Sequence, residues 1–232
     1  MAGRLYGVGV GPGDSKLLTL KAKEILESVD VIAVPVKASG EESRALSIVR
    51  PVVDLKYKEI MPVVFKMEHS VEKRAECRKQ AAEQLMEQMD SGKDVAMIVL
   101  GDISVYSTYH LAFKYIREKG YVTENIPGIS AFSGGAALAQ ISLAEGNQNM
   151  MVISSLKGTE SLRDALKICD NLVVMKAGSS MAHIMEILRE EGLEEKAILL
   201  SNIGMADEYV GPPSADRDYG YFTTLIIKKG GL

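Results

Sequence analysis

The sequence predicts an α/β protein made of two α/β domains. Strand-like apolar runs alternate with amphipathic helix-like segments, which is typical of a mainly parallel sheet flanked by helices. A chain of 232 residues with 47% hydrophobic residues can bury one large core or two compact ones. The alternation breaks over residues 121–128, where Asn125 and the Pro127-Gly128 pair indicate a connection. We therefore expect one domain over residues 1–124 and a second over residues 125–232.

The first half of the chain is predicted to alternate between strands and helices. The strands are expected at Leu5–Gly9, Val31–Val34 and Val95–Leu100. The helices are expected at Ser15–Val29, Ser43–Val49, Val71–Ser91 and Thr108–Lys119. The first helix shows the pattern clearly, because Asp14 or Ser15 suits its N-cap and its apolar residues fall on one face: Leu18, Ala22, Ile25, Leu26 and Val29. This face is predicted to belong to the core.

The second half continues the pattern after a short helix at Ala131–Gln140. Its strands are expected at Asn149–Ile153, Asn171–Met175, Ala197–Ser201 and Tyr221–Lys228. Its remaining helices are expected at Ser161–Ile168 and Ser180–Glu190. This is a second α/β unit of about a hundred residues, a common domain size.

Composition and charge exclude several classes of protein. The net charge of −4 argues against general nucleic-acid binding, which needs a basic surface. No apolar run reaches the roughly 18 residues of a membrane span, and the N-terminus leads straight into a strand instead of a signal peptide. Only two cysteines occur, without a ligand pattern, so a reduced cytoplasmic protein is expected. The scattered histidines argue against a metal site or a Ser-His-Asp triad: His69, His110 and His183.

A glycine cluster over residues 7–14 separates the first strand from the first helix. Glycines permit a sharp turn and close approach of a ligand, and the following helix offers unpaired N–H groups. This suggests a nucleotide-type ligand, but a dinucleotide frame G-x-G-x-x-G meets Pro12 or Asp14 where its third glycine belongs. The next strand ends in Pro35 instead of the acidic residue that holds a ribose. A nicotinamide-dependent oxidoreductase is therefore only an alternative, as is a simple tight turn.

Three further segments combine glycine with polar residues at strand ends. They are Leu100–Thr108, at the carboxyl end of a predicted buried strand, Pro127–Ala131, on the connection, and Met175–Gly178, at the end of a later strand. Open α/β sheets place their ligands at the carboxyl ends of strands. Each segment alone is also compatible with an ordinary turn.

Together, in this order and spacing, these motifs resemble the tetrapyrrole methylase family, the S-adenosylmethionine-dependent enzymes of cobalamin and sirohaem biosynthesis. The resemblance covers essentially the whole chain and rests on Gly-Pro-Gly-Asp at 11–14, Gly-Asp-x-x-x-Tyr at 101–106, Pro-Gly-Ile-Ser at 127–130 and Met-Lys at 175–176. Within the family, three segments are similar to the branch that methylates C-20 of precorrin-2 or of cobalt-factor II: Leu18–Ala22, Glu42–Val49 and Tyr106–Thr108.

The resemblance implies that S-adenosylmethionine binds in an active-site cleft between the two domains, held mostly by main-chain groups. Carried over residue by residue, the cofactor contacts are Pro12, Gly101, Asp102, Ile103, Val105, Tyr106, Ser130, Ala131, Met175 and Gly204. Small and apolar residues suit an adenine that needs an apolar slot with main-chain hydrogen bonds. The chain departs from the family at Ile103, where the family usually has proline, so the rigid φ of proline is missing.

Methyl transfer needs little beyond placement, because aligning two reactants lowers a barrier by roughly 7–11 kcal/mol in well-oriented systems. Tyr106 or Asp102 is a candidate to remove the C-20 proton or to orient a water. A substrate with many carboxylates needs cations, and the candidates are Arg44 and Lys176. The chain has no evident metal-ligand cluster, so any cobalt arrives with the substrate. The resemblance also implies a homodimer.

Other functions remain open from sequence alone. Members of the same family methylate other ring positions, and others modify diphthamide or ribosomal RNA, although the negative charge speaks against RNA. A non-catalytic regulator would bind the nucleotide without turning over a tetrapyrrole. Whether the substrate contains cobalt is likewise left open.

Overall fold

The chain forms two compact units, Met1–Ser130 and Ala131–Leu232. The computed structural model describes residues 1–36, 38, 40–65, 70–107, 109–154 and 159–232. Thr108, the predicted start of one helix, lies outside the described residues. The boundary expected between residues 124 and 125 falls inside a strand, Thr123–Ile126, which pairs with the first strand of the chain. This pairing keeps the segment with the first unit, and the division follows Ser130.

The first unit is built on a wholly parallel sheet. Its strands are β1 (Leu5–Gly9), β2 (Val31–Val36), β3 (Glu59–Val64), β4 (Val95–Val99) and β5 (Thr123–Ile126), in the order β3-β2-β4-β1-β5. Its helices are α1 (Leu20–Ser28), α2 (Arg44–Val49), α3 (Val71–Asp90) and α4 (Tyr109–Glu118). Because the strands are parallel, their carboxyl ends lie along one edge of the sheet, next to the loops that carry the sequence motifs.

Apolar clusters cover both faces of this sheet. The predicted inner face of the first helix is confirmed, since Ala22, Leu26 and Val29 are buried in one cluster. The helix itself begins later than expected, because Asp14 caps a short 3₁₀ turn at Ser15–Leu17 and Thr19 then caps α1. Prediction missed β3 and β5, which are the two edge strands and lack a continuous buried run.

The second unit has a mixed sheet. Its elements are α5 (Ala131–Leu138), β6 (Met150–Ser154), α6 (Thr159–Ile168), β7 (Asn171–Met175), α7 (Met181–Glu190), β8 (Ala197–Ser201), β9 (Tyr209–Gly211) and β10 (Thr223–Lys228). The strand order is β6-β7-β10-β8-β9, with only β6 and β7 paired in parallel. The expectation of mainly parallel sheets is therefore confirmed for the first unit and wrong for the second, where loops instead of helices connect β8, β9 and β10.

Among the residues that the structure describes, no helix is both long and apolar enough to cross a membrane. The same residues contain no group of His, Cys, Asp and Glu side chains arranged to hold a metal ion.

Candidate functional site

Glycines join the carboxyl ends of β1, β4 and β5 in the first unit. Gly11 and Gly101 form an antiparallel bridge, with N···O distances of 3.1 and 2.7 Å, and both have positive φ, at 82° and 75°. A Cβ on Gly9 would lie 2.7 Å from the nitrogen of Gly128, and a Cβ on Gly128 would lie 2.3 Å from the carbonyl oxygen of Gly101. Side chains are therefore excluded at this edge, and the main chains of three loops touch directly.

Asp102 ties two of these loops together. Its Oδ2 accepts a hydrogen bond from the N–H of Gly128 at 2.8 Å, and its Oδ1 accepts from the N–H of Ser104 at 2.9 Å and from the Ser104 hydroxyl. Partial burial raises the pKa of the Asp102 carboxyl, but the hydrogen bonds from Ser104, Gly128 and Ile103 together outweigh it and leave that pKa below its usual value. The side chain is thus held as a carboxylate and is a weakened base.

The residues after Asp102 divide between core and solvent. The side chain of Ile103 is 3% exposed and belongs to the apolar cluster that contains Tyr109. Only the main chain of Ile103 is therefore left for a ligand. Val105 is half-buried, whereas Tyr106 is 48% exposed and adopts a φ of 48°. A left-handed tyrosine is uncommon, and strained residues of this kind cluster at functional sites.

The other predicted residues of the first unit lie on the same loops or on α2. Pro12 follows Gly11 and is buried, and Ser130 follows the Gly128 loop and is 8% exposed. Arg44 is the exposed first residue of α2, which begins after the buried N-cap Ser43. That Arg44 lies close to the loops that contain Gly11, Gly101 and Gly128 stays a prediction.

In the second unit, one apolar cluster links the predicted residues. Half-buried Met175, the last residue of β7, packs against this cluster, as does Phe132, which follows Ala131 at the start of α5. Ile203, which precedes Gly204, is a buried member of the same cluster. Met175 thus shares one cluster with the chain neighbours of Ala131 and Gly204, whereas contacts of Ala131 and Gly204 themselves with a ligand stay a prediction.

Three left-handed backbones mark the strand ends of this unit. Lys176, directly after β7, has a φ of 60°, Asn202, directly after β8, has a φ of 50°, and Gly204 has a φ of 74°. The N–H of Gly204 donates to Glu208 at 2.7 Å. The ammonium of Lys176 lies 5.3 Å from the centroid of the Tyr221 ring. This edge therefore carries a cation beside an aromatic ring.

The sequence was compared with known families and proteins. The sequence model described as Tetrapyrrole (Corrin/Porphyrin) Methylases matches residues 4–216. The chain belongs to this family. The cobalt-precorrin-2 C(20)-methyltransferase of Salmonella typhimurium is 31% identical, over 99% of this chain and 98% of the relative. A probable cobalt-precorrin-2 C(20)-methyltransferase of Methanocaldococcus jannaschii is 33% identical, over 97% and 96% of the two chains.

Solved structures agree on the fold of this tetrapyrrole methylase. A uroporphyrin-III-C-methyltransferase from Thermus thermophilus superimposes with a TM-score of 0.71 at 20% identity, covering 98% of this chain and 94% of the other. A cobalt precorrin-4 methyltransferase gives a TM-score of 0.72 at 17% identity, covering 96% and 94%. At such identities the likeness establishes the fold alone.

Some residues at these strand ends could not be recognised from the sequence motifs. The contact of Gly9 with Gly128 and the positions of Asn202 and Tyr221 were not singled out from sequence. A signal existed for the glycines, since each follows or ends an apolar run where strand ends meet. Neither Asn202 nor Tyr221 carries such a signal, because a lone asparagine or tyrosine near a strand is common.

Proposed function

We propose that this tetrapyrrole methylase transfers the methyl group of S-adenosylmethionine to C-20 of precorrin-2 or of its cobalt-containing counterpart in cobalamin biosynthesis. The observation that carries the proposal is the near full-length similarity to two relatives that are named as C(20)-methyltransferases of cobalt-precorrin-2. Both names include cobalt, which favours the cobalt-containing substrate. Family membership leaves the nicotinamide-dependent alternative without support.

The residues present fit this methyl donor. The close glycine contacts at Gly9, Gly101 and Gly128 bring main-chain groups of three loops together at a strand edge, and Met175 with Phe132 offers partly covered apolar surface. An adenine needs apolar surface and main-chain hydrogen bonds. When bound, S-adenosylmethionine supplies an activated methyl group, so that the C–S bond breaks as the bond to C-20 forms, S-adenosylhomocysteine leaves and C-20 loses its proton.

The chain's own contribution is mainly positional. Asp102 holds the loop after β4 against the loop after β5, and its weakened basicity favours this role over that of a proton acceptor. Tyr106, exposed on the loop after β4, is the better candidate to orient a water that takes the C-20 proton. Lys176 and Arg44 supply cations for the carboxylates of the substrate. The remaining proposed contacts to the methyl donor are Pro12, Gly101, Ile103, Val105, Ser130, Ala131, Met175 and Gly204.

A transfer assay tests the reaction. Purified protein is incubated anaerobically with radiolabelled S-adenosylmethionine and, in parallel, with precorrin-2 and with cobalt-factor II. We expect label in the tetrapyrrole, at C-20 by NMR, and more with the cobalt-containing substrate. Label at another carbon would overturn the C-20 assignment, and absence of S-adenosylmethionine binding in calorimetry would overturn the activity altogether.

The resemblance further supports a homodimer in the cytoplasm. Sedimentation equilibrium of the purified chain, whose monomer mass is 25.2 kDa, distinguishes a dimer from a monomer. Fractionation of cells that express the chain tests its location.

A further inference from the structure

A short loop joins β8 to β9 in the second unit. Its first residue, Asn202, follows the end of β8, and its last residue, Glu208, directly precedes Tyr209, the first residue of β9. Ser201 and Tyr209 are paired neighbours in these two antiparallel strands, so the sheet fixes both ends of the loop. The side chain of Glu208 therefore starts from a well-held backbone position.

Glu208 holds one peptide group inside this loop. Its Oε2 accepts a hydrogen bond from the N–H of Gly204 at 2.7 Å, and its own N–H donates to the carbonyl of Met205 at 3.1 Å. The carboxylate of Asp207 accepts from the side-chain amide of Asn202 at 2.7 Å. Gly204 has a φ of 74°, a conformation that glycine adopts at little cost but does not enforce. The carboxylate of Glu208 supplies the restraint that the glycine lacks.

This hydrogen bond fixes the direction of the neighbouring carbonyl. The C=O and N–H groups of a trans peptide point in opposite directions, so the carbonyl of Ile203 faces away from Glu208. Within the described part of the chain, no N–H or hydroxyl group donates to this carbonyl. The side chain of Ile203 is 7% exposed and belongs to the cluster against which Met175 and Phe132 pack. The residue that carries this oriented acceptor is thus anchored in the cluster that offers the partly covered apolar surface.

The two polar groups of this peptide differ in what they offer a ligand. The N–H of Gly204 is already taken by Glu208. A polar contact between this peptide and the methyl donor therefore uses the carbonyl oxygen of Ile203, which accepts from an N–H group. The adenine of S-adenosylmethionine has an amino group that can donate such a bond.

We infer that Glu208 is a positioning residue of the methyl-donor site, which holds the peptide between Ile203 and Gly204 so that its carbonyl accepts from the adenine amino group. This inference rests on the proposed function, because it concerns the donor of the same reaction. It adds a side chain outside the family motifs to the proposed main-chain contact at Gly204. Glu208 acts through the peptide and does not itself touch the donor.

The first test removes or keeps the acceptor. Glu208→Ala should raise the Kd for S-adenosylhomocysteine about tenfold in titration calorimetry, because loss of one hydrogen bond to a charged group frees the peptide. Glu208→Gln keeps an acceptor oxygen and should restore most of the affinity. The matched control is Glu195→Ala, since Glu195 is an exposed glutamate of the same unit, before the opposite end of β8. Its Kd should equal the native value.

An analogue without the amino group tests the contact itself. S-inosylhomocysteine has an oxygen where adenine has its amino group, so the native chain should bind it less tightly than S-adenosylhomocysteine. This preference should shrink in Glu208→Ala and persist in Glu208→Gln and Glu195→Ala. A merely structural effect would weaken both ligands by the same factor. An unchanged preference in Glu208→Ala would overturn the inference.

The charge of the ligand separates positioning from direct attraction. S-adenosylmethionine carries a positive sulfonium, whereas S-adenosylhomocysteine carries a neutral thioether. Positioning by Glu208 predicts that Glu208→Ala weakens the binding of both ligands by similar factors. If only S-adenosylmethionine binds more weakly, and equally so in Glu208→Ala and Glu208→Gln, the carboxylate attracts the sulfonium and the inference is overturned.

Binding and turnover distinguish the two proposals. If the native chain binds S-adenosylhomocysteine but transfers no methyl group to precorrin-2 or cobalt-factor II, the proposed function fails, whereas weaker binding by Glu208→Ala still supports the positioning role. If methyl transfer proceeds and the native and Glu208→Ala chains bind alike, the positioning role fails alone. Absence of binding by the native chain overturns both.

Discussion

Replacing Gly128 with alanine should disrupt the first unit where the main chains of Gly9, Gly101 and Gly128 touch. The added methyl group would lie 2.3 Å from the carbonyl oxygen of Gly101 and 2.7 Å from the carbonyl carbon of Gly9. Both are main-chain atoms, and the bridge between Gly11 and Gly101 limits how far the second loop can move. The clash must therefore be relieved by moving the Gly128 loop away.

The cost has two parts. Overpacking of this kind typically costs about 1–3 kcal/mol. Moving the loop also lengthens the 2.8 Å hydrogen bond from Gly128 to Asp102. A hydrogen bond to a charged group contributes about 1.5–3 kcal/mol. We take about 3 kcal/mol as the sum of the partial losses in packing and in hydrogen bonding. For a chain of this size, each kcal/mol lowers the melting temperature by about 2–4 °C, so the melting temperature should fall by about 6–12 °C.

Thermal unfolding by calorimetry and the Kd of S-adenosylmethionine by titration calorimetry measure the effect. The matched control is Gly230→Ala, whose Cβ would lie 3.6 Å from the Nε2 of Gln148, an ordinary contact. We expect Gly128→Ala to melt well below this control and to bind S-adenosylmethionine more weakly. If both variants melt together and bind alike, the close contact is not needed and the reasoning is refuted.

The remaining predictions concern three other residues of the same unit. Asp102→Asn should destabilise the protein by about 1–3 kcal/mol, measured by urea unfolding, and an unchanged midpoint would show that Asp102 does not hold the two loops together. Because the pKa of Asp102 is lowered in the folded protein, its stabilising effect is present above the ordinary carboxyl pKa and is lost as the pH falls through the folded pKa, so the gap between native and Asp102→Asn melting temperatures should shrink below about pH 4. Gly7→Ala should destabilise, since its methyl would lie 2.4 Å from Cζ of Tyr109; native-like unfolding would show that the ring moves aside. Tyr109→Phe should leave stability unchanged or raise it, because the buried hydroxyl has no hydrogen-bond partner among the described residues, and a clear loss in denaturant unfolding would reveal one.

The sequence predicted the parts of the fold that depend on continuous apolar runs. The buried strands β1 and β4 are uninterrupted runs of apolar and small residues, and β7 is apolar after its first residue, Asn171, so their positions follow from composition alone. The glycines at the ends of strands could be located from the same apolar runs. In the first unit, the structure brings these glycines into contact. Motif order then linked the loops to one family, which the family match confirms.

What sequence could not predict depends on contacts between distant segments. Strand β5 reads Thr-Glu-Asn-Ile and has no alternating pattern, yet it pairs with β1 because that edge is open. The position of strand β10 was predicted but its direction was not, since a short buried strand has a similar sequence pattern in parallel and antiparallel sheets. The pair formed by Lys176 and Tyr221 follows from that direction, because only an antiparallel β10 brings residue 221 to the end of β7.

Ile103 lies at the position where the resemblance implies a proline. Proline in this place would fix φ and stabilise the loop by about 0.4–1 kcal/mol through the unfolded chain. Here the side chain is 3% exposed within a core cluster, and burying an isoleucine contributes about 1.5–3 kcal/mol. Burial of this side chain contributes more than a fixed φ would, so the loop is anchored to the core through Ile103.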